Sequence, residues 1–193
     1  MSLDVRIHGR GGQGVVTAAE LLSLAAFDEG LNAQALPSFG SERTGAPVVA
    51  FCRIDTAPIR AHDPISAPDV VVVQDPTLLR NGDVLLGLAE NGLVVVNSAK
   101  DPADLARAGL RLRGNQRAVC LPASDLARER LGRPLPNTAL IGAVVALTSV
   151  LGLPSLHAAI LERFSMADDD VLAANLRLAT EAHDLTLEGD RRA

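Results

Sequence analysis

Before residue 124, short apolar runs alternate with segments of helical periodicity. The apolar runs predict strands at 4–8, 32–36, 69–75, 93–98 and 118–123. Between them, apolar residues at helical spacing predict helices at 13–29, 77–90 and 102–108. One side of the first helix carries Val16, Ala19, Leu22 and Ala26. An alternation of this kind favours an α/β fold, in which helices cover the faces of a sheet.

Three further patterns complete the predicted fold. The segments 46–54 and 57–61 are expected to form a β-hairpin across Asp55 and Thr56. The run DVVVVQD at 69–75 is typical of a parallel strand buried on both faces. From residue 124 onward, helices are predicted at 124–131, 138–151, 155–165 and 168–187. We therefore predict one domain, residues 1–193, with a Rossmann-like, mostly parallel sheet flanked by helices, a β-hairpin and a helical C-terminal part.

Composition and charge exclude several function classes. The 193 residues are 48% hydrophobic but include four Phe and no Trp or Tyr, which predicts an aliphatic core. A net charge of −5 offers no basic footprint for nucleic acid. We find no apolar signal sequence and no apolar stretch of the roughly 20 residues that a membrane helix needs. We expect a cytoplasmic protein that binds neither nucleic acid nor a membrane.

Cysteine and histidine are too sparse to predict a metal centre. Cys52 and Cys120 are the two cysteines of the chain, whereas the usual iron–sulfur cluster needs four thiolates. The four histidines are scattered and lack the spacing of zinc ligands. We also find no spacing of serine, histidine and acid that indicates a catalytic triad. We therefore expect free thiols and no metal site or catalytic residue on this chain.

The glycine-rich motif IHGRGGQGVV is the most informative local pattern. Gly9, Gly11 and Gly14 fit the G-x-G-x-x-G fingerprint of dinucleotide-binding folds, between a predicted strand and a predicted helix. The backbone N–H groups at such a turn form a site for an anion at the helix N-terminus. A purely structural role, in which the glycines permit close packing of the strand and the helix, is the less favoured alternative.

A nicotinamide dinucleotide site needs a second feature that this sequence lacks. Such sites usually place an acidic residue about 20 residues after the glycines, where it binds a ribose. The corresponding segment 31–39 contains Asn32 and Gln34 but no carboxylate. This weakens the prediction of a nicotinamide site and leaves that of another phosphate-bearing ligand open.

A polar segment at 37–45, PSFGSERTG, is the second candidate for function. Its proline and glycines predict irregular backbone, and loops at the edge of a sheet often carry function. Arg43 is suited to bind a phosphate or carboxylate through two parallel hydrogen bonds. An ordinary solvated loop with a pair between Arg43 and Glu42 is the alternative.

Four segments together resemble the gamma subunit of 2-oxoacid:ferredoxin oxidoreductases, in particular the pyruvate and 2-ketoisovalerate branch. They are G-x-G-G-Q-G-V at 9–15, P-S-F-G-x-E-R-x-G-A-P at 37–47, DVVVVQDPTLL at 69–79 and NTALIGA at 137–143. The resemblance extends over about residues 3–187. Thr44 departs from it, because many relatives carry a second arginine there, so this loop has one positive charge less.

The resemblance implies a role within a larger enzyme, which oxidatively decarboxylates a 2-oxoacid to an acyl-CoA. In that family the complex contains alpha, beta and ferredoxin-like delta subunits and passes electrons to ferredoxin or another acceptor. Thiamine diphosphate and Mg²⁺ lie between the alpha and beta chains, and the [4Fe-4S] clusters belong to delta or beta. The gamma chain carries neither and helps to form the coenzyme A site, so we expect the isolated chain to be inactive.

The motifs and the resemblance together define the candidate coenzyme A-binding residues. They are Gly9, Arg10, Gly11, Gly12, Gln13, Gly14, Ser38, Gly40, Glu42, Arg43, Asn137 and Thr138. Two alternatives remain at this point: a stand-alone NAD-dependent oxidoreductase, and a purely structural scaffold subunit.

Overall fold

The fold combines a six-stranded sheet with α-helices in a computed structural model that describes residues 2–37, 45–80 and 83–191. The strands are β1 (Ser2–Arg10), β2 (Asn32–Pro37), β3 (Pro47–Asp55), β4 (Val70–Val73), β5 (Leu93–Asn97) and β6 (Arg117–Leu121). The helices are α1 (Val15–Asp28), α2 (Pro102–Leu105), α3 (Ala123–Leu131), α4 (Asn137–Thr148), α5 (Leu153–Arg163) and α6 (Asp169–Asp190). Two 3₁₀ turns, Pro76–Arg80 and Ala106–Ala108, follow β4 and α2.

The sheet has the strand order β2-β3-β1-β4-β5-β6. Strands β1, β4, β5 and β6 run parallel to one another. Strand β3 lies between β1 and β2 and is antiparallel to both. The predicted α/β fold with a Rossmann-like, mostly parallel sheet and a helical C-terminal part is therefore confirmed.

The predicted position of the hairpin, between 46–54 and 57–61, is wrong. The first segment is β3, whose antiparallel partners are β1 and β2. The second segment contains no strand. The Asp55 carboxylate accepts a hydrogen bond from the Ala57 amide at 3.0 Å, which turns the chain away from the sheet. Pro58 then lacks the N–H group that a ladder would require.

The helix predicted at 77–90 is also wrong. The chain makes a single 3₁₀ turn after β4, and its described residues after position 82 form turns before β5. The Arg6 guanidinium donates to the carbonyls of Val84 and Leu86 at 3.1 and 2.5 Å, which occupies acceptors that a helix would use. Gly87 has a φ of 76°, in the left-handed region that favours glycine. Tertiary contacts therefore override the helical pattern of this segment.

The sheet separates two unequal apolar layers. In β4, Val70 and Val72 join the core that contains the long helices, whereas Val71 and Val73 join a smaller core covered by turns and loops. Successive side chains of a strand point to opposite faces. Burial on both sides thus explains why this strand is apolar at every position.

Helix α4 lies within the helical layer and is apolar on all sides. Most of its residues are buried, as expected for a core helix. Gly142 permits a close approach to α6, because a Cβ at this position would lie 2.6 Å from the Ala179 carbonyl oxygen. None of the described helices combines the length and the hydropathy that a lipid bilayer would require of a spanning segment.

We expect Gly142→Ala to destabilise the chain. The added methyl group has no room beside the α6 backbone, and overpacking of this kind typically costs about 1–3 kcal/mol. Gly189→Ala is a matched control in α6, because a Cβ there has no atom within 4 Å. Urea unfolding of both variants measures the difference. A Gly142→Ala chain as stable as the control would contradict the close packing of α4 on α6.

Candidate functional site

The glycine loop, residues 9–14, shares one edge of the sheet with the carboxyl ends of the parallel strands. Arg10 at the end of β1 forms an ion pair with Asp75 after β4, at 2.5 Å. The Asn97 side chain at the end of β5 donates to the Gln74 carbonyl at 2.8 Å. The glycine loop and the turns that follow β4 and β5 therefore meet at one edge of the sheet.

The polar segment that precedes β3 borders the same loop. The Gly45 amide donates to the Gly11 carbonyl at 3.1 Å, and the Gly11 amide donates to the Ala46 carbonyl at 2.9 Å. These two bonds hold the start of β3 against the glycine loop. Four candidate residues of this segment lie outside the described residues, namely Ser38, Gly40, Glu42 and Arg43.

The Arg10 side chain is bound within the protein. Besides the bond to Asp75, its guanidinium donates to the Gly45 carbonyl at 3.0 Å and to the Thr77 hydroxyl at 2.9 Å. Burial alone would raise the pKa of Asp75, but hydrogen bonds from Thr77 and Arg10 outweigh it and keep that pKa below its usual value. Arg10 therefore joins the glycine loop to the turn after β4 and to the start of β3, and it keeps few donors for a ligand.

The glycines of the loop meet different physical requirements. A Cβ at Gly9 would lie 2.6 Å from Val15 Cγ2, so this glycine permits close packing of β1 and α1. Gly14 has a φ of 73°, and a Cβ there would lie 2.6 Å from the Asn137 side chain. Gly12 has a φ of 96° but faces open space. Gly9 and Gly14 are needed for close packing, whereas Gly12 is needed only for its left-handed backbone conformation.

Some backbone N–H groups of the loop are used internally and others are not. The Gln13 amide donates to the Arg10 carbonyl at 3.0 Å, and the Gln13 side-chain oxygen accepts from the Arg10 amide at 2.7 Å. Within the described ranges, no acceptor contacts the amides of Gly12, Gly14 and residues 15–17. These N–H groups form the positive end of α1 and are available to an anion.

A cavity of about 560 Å³ opens beside these amides. Gly12, Gly14 and Thr17 line it on the loop side, and Asn137 of α4 and Asn175 of α6 line it on the helical side. The sequence places these residues far apart. Only the packing of α4 and α6 against the start of α1 brings them together.

Two arginines near the connection between α3 and α4 also line this cavity. Arg130 is held by Glu181 through two hydrogen bonds of 2.7 and 3.1 Å. Arg133 is exposed and has no acidic partner among the described residues. Asp170 of α6 is the acidic residue in the lining. The guanidinium of Arg133 is therefore the cation of this cavity that remains available to a ligand.

The two candidate residues of α4 have different surroundings. Asn137 lies against Gly14 and lines the cavity with 7% of its surface exposed. Thr138 is fully buried, and its hydroxyl donates to the Asn175 side-chain oxygen at 2.9 Å. The Asn175 amide in turn donates to the Val171 carbonyl at 2.9 Å. The structure thus brings Asn137 to the site and uses Thr138 to fix α4 on α6.

Residues of this site that sequence reasoning missed include Thr17, Gln74, Arg133 and Asn175. Gln74 is fully buried below the loop, and its side-chain oxygen lies 3.0 Å from the position of a Gly9 Cβ. Its amide nitrogen and oxygen have no hydrogen-bond partner in the described ranges. A polar residue after four buried valines was the available signal for Gln74. Arg133 has no such signal, because its position depends on how the helices pack.

The cysteines and His8 are neutral groups, of which Cys52 is buried and Cys120 and His8 are partly buried. Cys52 and Cys120 are free thiols, as expected, and burial raises the pKa of both, to about 11 for Cys120. Burial and the nearby Arg6 cation lower the pKa of His8 to about 4, so its ring is uncharged at neutral pH. Among the described residues, no three side chains of His, Cys, Asp or Glu come together as metal ligands.

Comparisons with known proteins place these features in a family. The pyruvate ferredoxin/flavodoxin oxidoreductase family matches residues 4–185. The pyruvate/ketoisovalerate oxidoreductases common subunit gamma of Pyrococcus abyssi is 45% identical over 185 residues, which cover 95% of this chain and 97% of that protein.

Solved structures agree with the sequence relatives. Pyruvate oxidoreductase subunit PORC of Thermotoga maritima matches with a TM-score of 0.82 at 34% identity, over 95% of this chain and 96% of that chain. A 2-oxoglutarate:ferredoxin oxidoreductase of Magnetococcus marinus, solved with 2-oxoglutarate, coenzyme A and succinyl-CoA bound, matches with a TM-score of 0.76. It is 19% identical, over 96% of this chain and 31% of that chain, and shows the fold alone. On the strength of the family match and the 45% identity, this chain belongs to the pyruvate ferredoxin/flavodoxin oxidoreductase family.

Proposed function

We propose that this chain, as the gamma subunit of a pyruvate or related 2-oxoacid:ferredoxin oxidoreductase, supplies part of the coenzyme A site. The observation that carries this proposal is the group of amides at the start of α1 that have no acceptor within the described ranges and lie beside a cavity lined by Arg133. A helix N-terminus attracts phosphate through its free N–H groups and its dipole. Coenzyme A presents a pyrophosphate and a further phosphate to such a site.

The candidate residues divide into ligand contacts and positioning residues under this proposal. The amides of Gly12 and Gly14 and of residues 15–17 bind phosphate oxygens, Asn137 adds a side-chain amide, and Arg133 adds a charged donor. A guanidinium binds a phosphate through two parallel hydrogen bonds, which gives it both strength and direction.

The remaining described candidates hold the loop in place. Gly9 and Thr138 pack β1, α1, α4 and α6 together, whereas the Arg10 guanidinium and the backbone amides of Gly11 and Gln13 donate hydrogen bonds inside the protein. These five residues therefore act on the ligand through the geometry of the loop. Four candidates keep their proposed role as contacts on the family resemblance alone, namely Ser38, Gly40, Glu42 and Arg43.

The sheet order argues against a stand-alone NAD-dependent oxidoreductase. In the dinucleotide-binding fold, a parallel strand beside the first one ends in the carboxylate that binds the ribose. Here β3 occupies that place and is antiparallel, so it presents its first residue, Pro47, at the edge that carries the loop. Strand β2 lies one position further out, beyond β3. At the ribose-binding position, the strand beside β1 thus runs in the wrong direction and does not end in an acidic residue.

Partner chains supply the remaining chemistry in this proposal. Thiamine diphosphate, Mg²⁺ and the [4Fe-4S] clusters belong to the alpha, beta and delta subunits, and ferredoxin or another acceptor takes the electrons. Two cysteines are half the number that one cluster of the usual kind requires. The cytoplasmic location expected from the sequence is part of the same proposal.

We expect the purified chain alone to lack 2-oxoacid oxidation. Activity should appear when alpha, beta and delta subunits are added, because the proposed thiamine and cluster sites are on those chains. Reduction of a viologen dye with pyruvate and coenzyme A measures both states. Robust turnover by the isolated chain without thiamine diphosphate would contradict the proposal.

We expect Arg133→Gln in the assembled complex to raise the KM for coenzyme A about tenfold. One charged hydrogen bond is lost, which costs about 1.5 kcal/mol. Arg128→Gln is the matched control, because Arg128 lies on α3 and pairs with Asp125 at the surface. The KM for the 2-oxoacid should change little in both variants. Equal effects of the two substitutions on coenzyme A would remove Arg133 from the site.

Arg43→Ala tests the polar segment independently. If Arg43 binds a phosphate, the loss of about 1.5–3 kcal/mol raises the KM for coenzyme A by about one to two orders of magnitude. Arg43→Lys should recover part of the affinity, because an ammonium group cannot form the paired hydrogen bonds. An unchanged KM for coenzyme A in the complex with Arg43→Ala would assign this segment to subunit contact instead.

A further inference from the structure

A second cavity lies on the loop-covered side of the sheet and takes no part in the site described above. It has a volume of about 550 Å³, and its walls come mainly from the segments that lead into β5 and β6. Those segments enter the amino ends of parallel strands, whereas the glycine loop follows the carboxyl end of β1. The two cavities therefore lie toward opposite ends of the sheet.

Three arginines line this second cavity, namely Arg80, Arg111 and Arg113. Within the described ranges, none of them lies within 4.0 Å of a carboxylate oxygen. Arginines elsewhere are paired, for example Arg53 with Asp4 at 3.0 Å. The cavity thus gathers three cations without an acidic partner in a chain whose net charge is −5.

A fourth cation lies directly behind the cavity wall. Arg6 is 7% exposed and donates to the carbonyls of Ile65, Val84 and Leu86 at 3.4, 3.1 and 2.5 Å. Val84 and Leu86 line the cavity. The hydrogen-bond acceptors that Arg6 finds are these carbonyls and the neutral ring of His8, and none of them carries a negative charge. A buried charge is usually compensated by an opposite charge. Because the acceptors of Arg6 are neutral, its charge is not compensated in this way and adds to the positive potential of the cavity.

The walls that carry these charges are fixed. Gly109 adopts a φ of 111°, and a Cβ there would lie 2.3 Å from the Leu79 carbonyl oxygen. The Gln116 side chain donates to the carbonyls of Leu88 and Ala89, both at 3.0 Å, and accepts from the Arg113 amide at 2.9 Å. The backbone that positions Arg113 is therefore already ordered, which lowers the entropic cost of binding.

The acidic side chains of the same segments leave the cavity open to an anion. Asp83, Glu90, Asp101 and Asp104 are exposed, and none of them forms an ion pair with a described residue. The rest of the lining is largely apolar, with side chains such as Leu79, Leu85 and Leu88. The lining of the cavity therefore combines three guanidinium groups with apolar side chains.

We propose that this second cavity binds a small organic phosphate, with the phosphate among Arg80, Arg111 and Arg113 and an apolar or aromatic body against the leucines. A phosphate carries the charge that offsets several guanidinium groups, and its oxygens match their paired donors. This ligand is distinct from the coenzyme A of the proposed function, because the cavity lies away from the glycine loop.

Phenyl phosphate and inorganic phosphate are suitable probes for the full-length chain. Isothermal titration at constant ionic strength, carried out in the Arg133→Gln background, reduces any contribution from the glycine loop. We expect saturable, one-to-one binding of phenyl phosphate, and weaker binding of inorganic phosphate, which lacks the apolar body. Equal affinities for the two probes would overturn the apolar part of the proposal, and absence of saturation would overturn all of it.

Charge substitutions locate the binding. Arg111→Gln and Arg113→Gln should each weaken phenyl phosphate binding about tenfold, and Lys at either position should recover part of it. The matched control is Arg177→Gln on α6, which removes the same charge from the other layer. Circular dichroism checks that each variant is folded. An equal loss in the control would show an unspecific effect of net charge and would overturn the site.

An acidic segment of a partner subunit is the competing occupant. If phenyl phosphate does not bind but the double substitution of Arg111 and Arg113 to Gln prevents assembly with the partner subunits, the cavity is a subunit contact and the proposal is wrong. If the double variant assembles normally and has lost phenyl phosphate binding, the proposal holds.

Discussion

The antiparallel pairing of β1 with β3 is the constraint on which the rest of the structure depends. The ladder joins the two strands over their full length, from Ser2 opposite Asp55 to Arg10 opposite Pro47. It then continues past the strand ends through the hydrogen bonds between Gly11 and residues 45–46. Hydrogen bonds of the β-ladder type therefore hold the first part of the glycine loop. The start of α1 is fixed in turn beside the cavity, and its first amides have no acceptor within the described ranges.

This constraint also explains which parts of the fold the sequence could predict. Buried strands such as β4 need apolar residues at every position, so a local pattern reveals them. A local pattern cannot show the partner of β3, because β3 pairs with β1, a strand that is distant in the sequence. The error over residues 57–61 has this origin. The same applies to the helix expected at 77–90, since Arg6 binds the Leu86 carbonyl across 80 positions of sequence.

The candidate site was predictable in position but only partly in role. The glycine fingerprint correctly marks a strand, a tight turn and a helix, because these φ values and close approaches exclude side chains. It cannot show which N–H groups stay free. The Gly11 amide donates to the Ala46 carbonyl, whereas the Gly12 amide has no acceptor within the described ranges, a difference that depends on where β3 begins. Arg133 and Asn137 reach the cavity through helix packing, which no motif in the glycine loop encodes.

The role of each arginine depends on its hydrogen-bond partners. Arg10 forms an ion pair with Asp75 and stabilises the loop, whereas Arg133 has no acidic partner in the described structure and remains available to a ligand. Arg6 is a third case, because its acceptors are mostly backbone carbonyls. Two of the carbonyls that it binds, those of Val84 and Leu86, lie in the turns after β4, so one buried cation both stabilises these turns and shapes the wall of the second cavity.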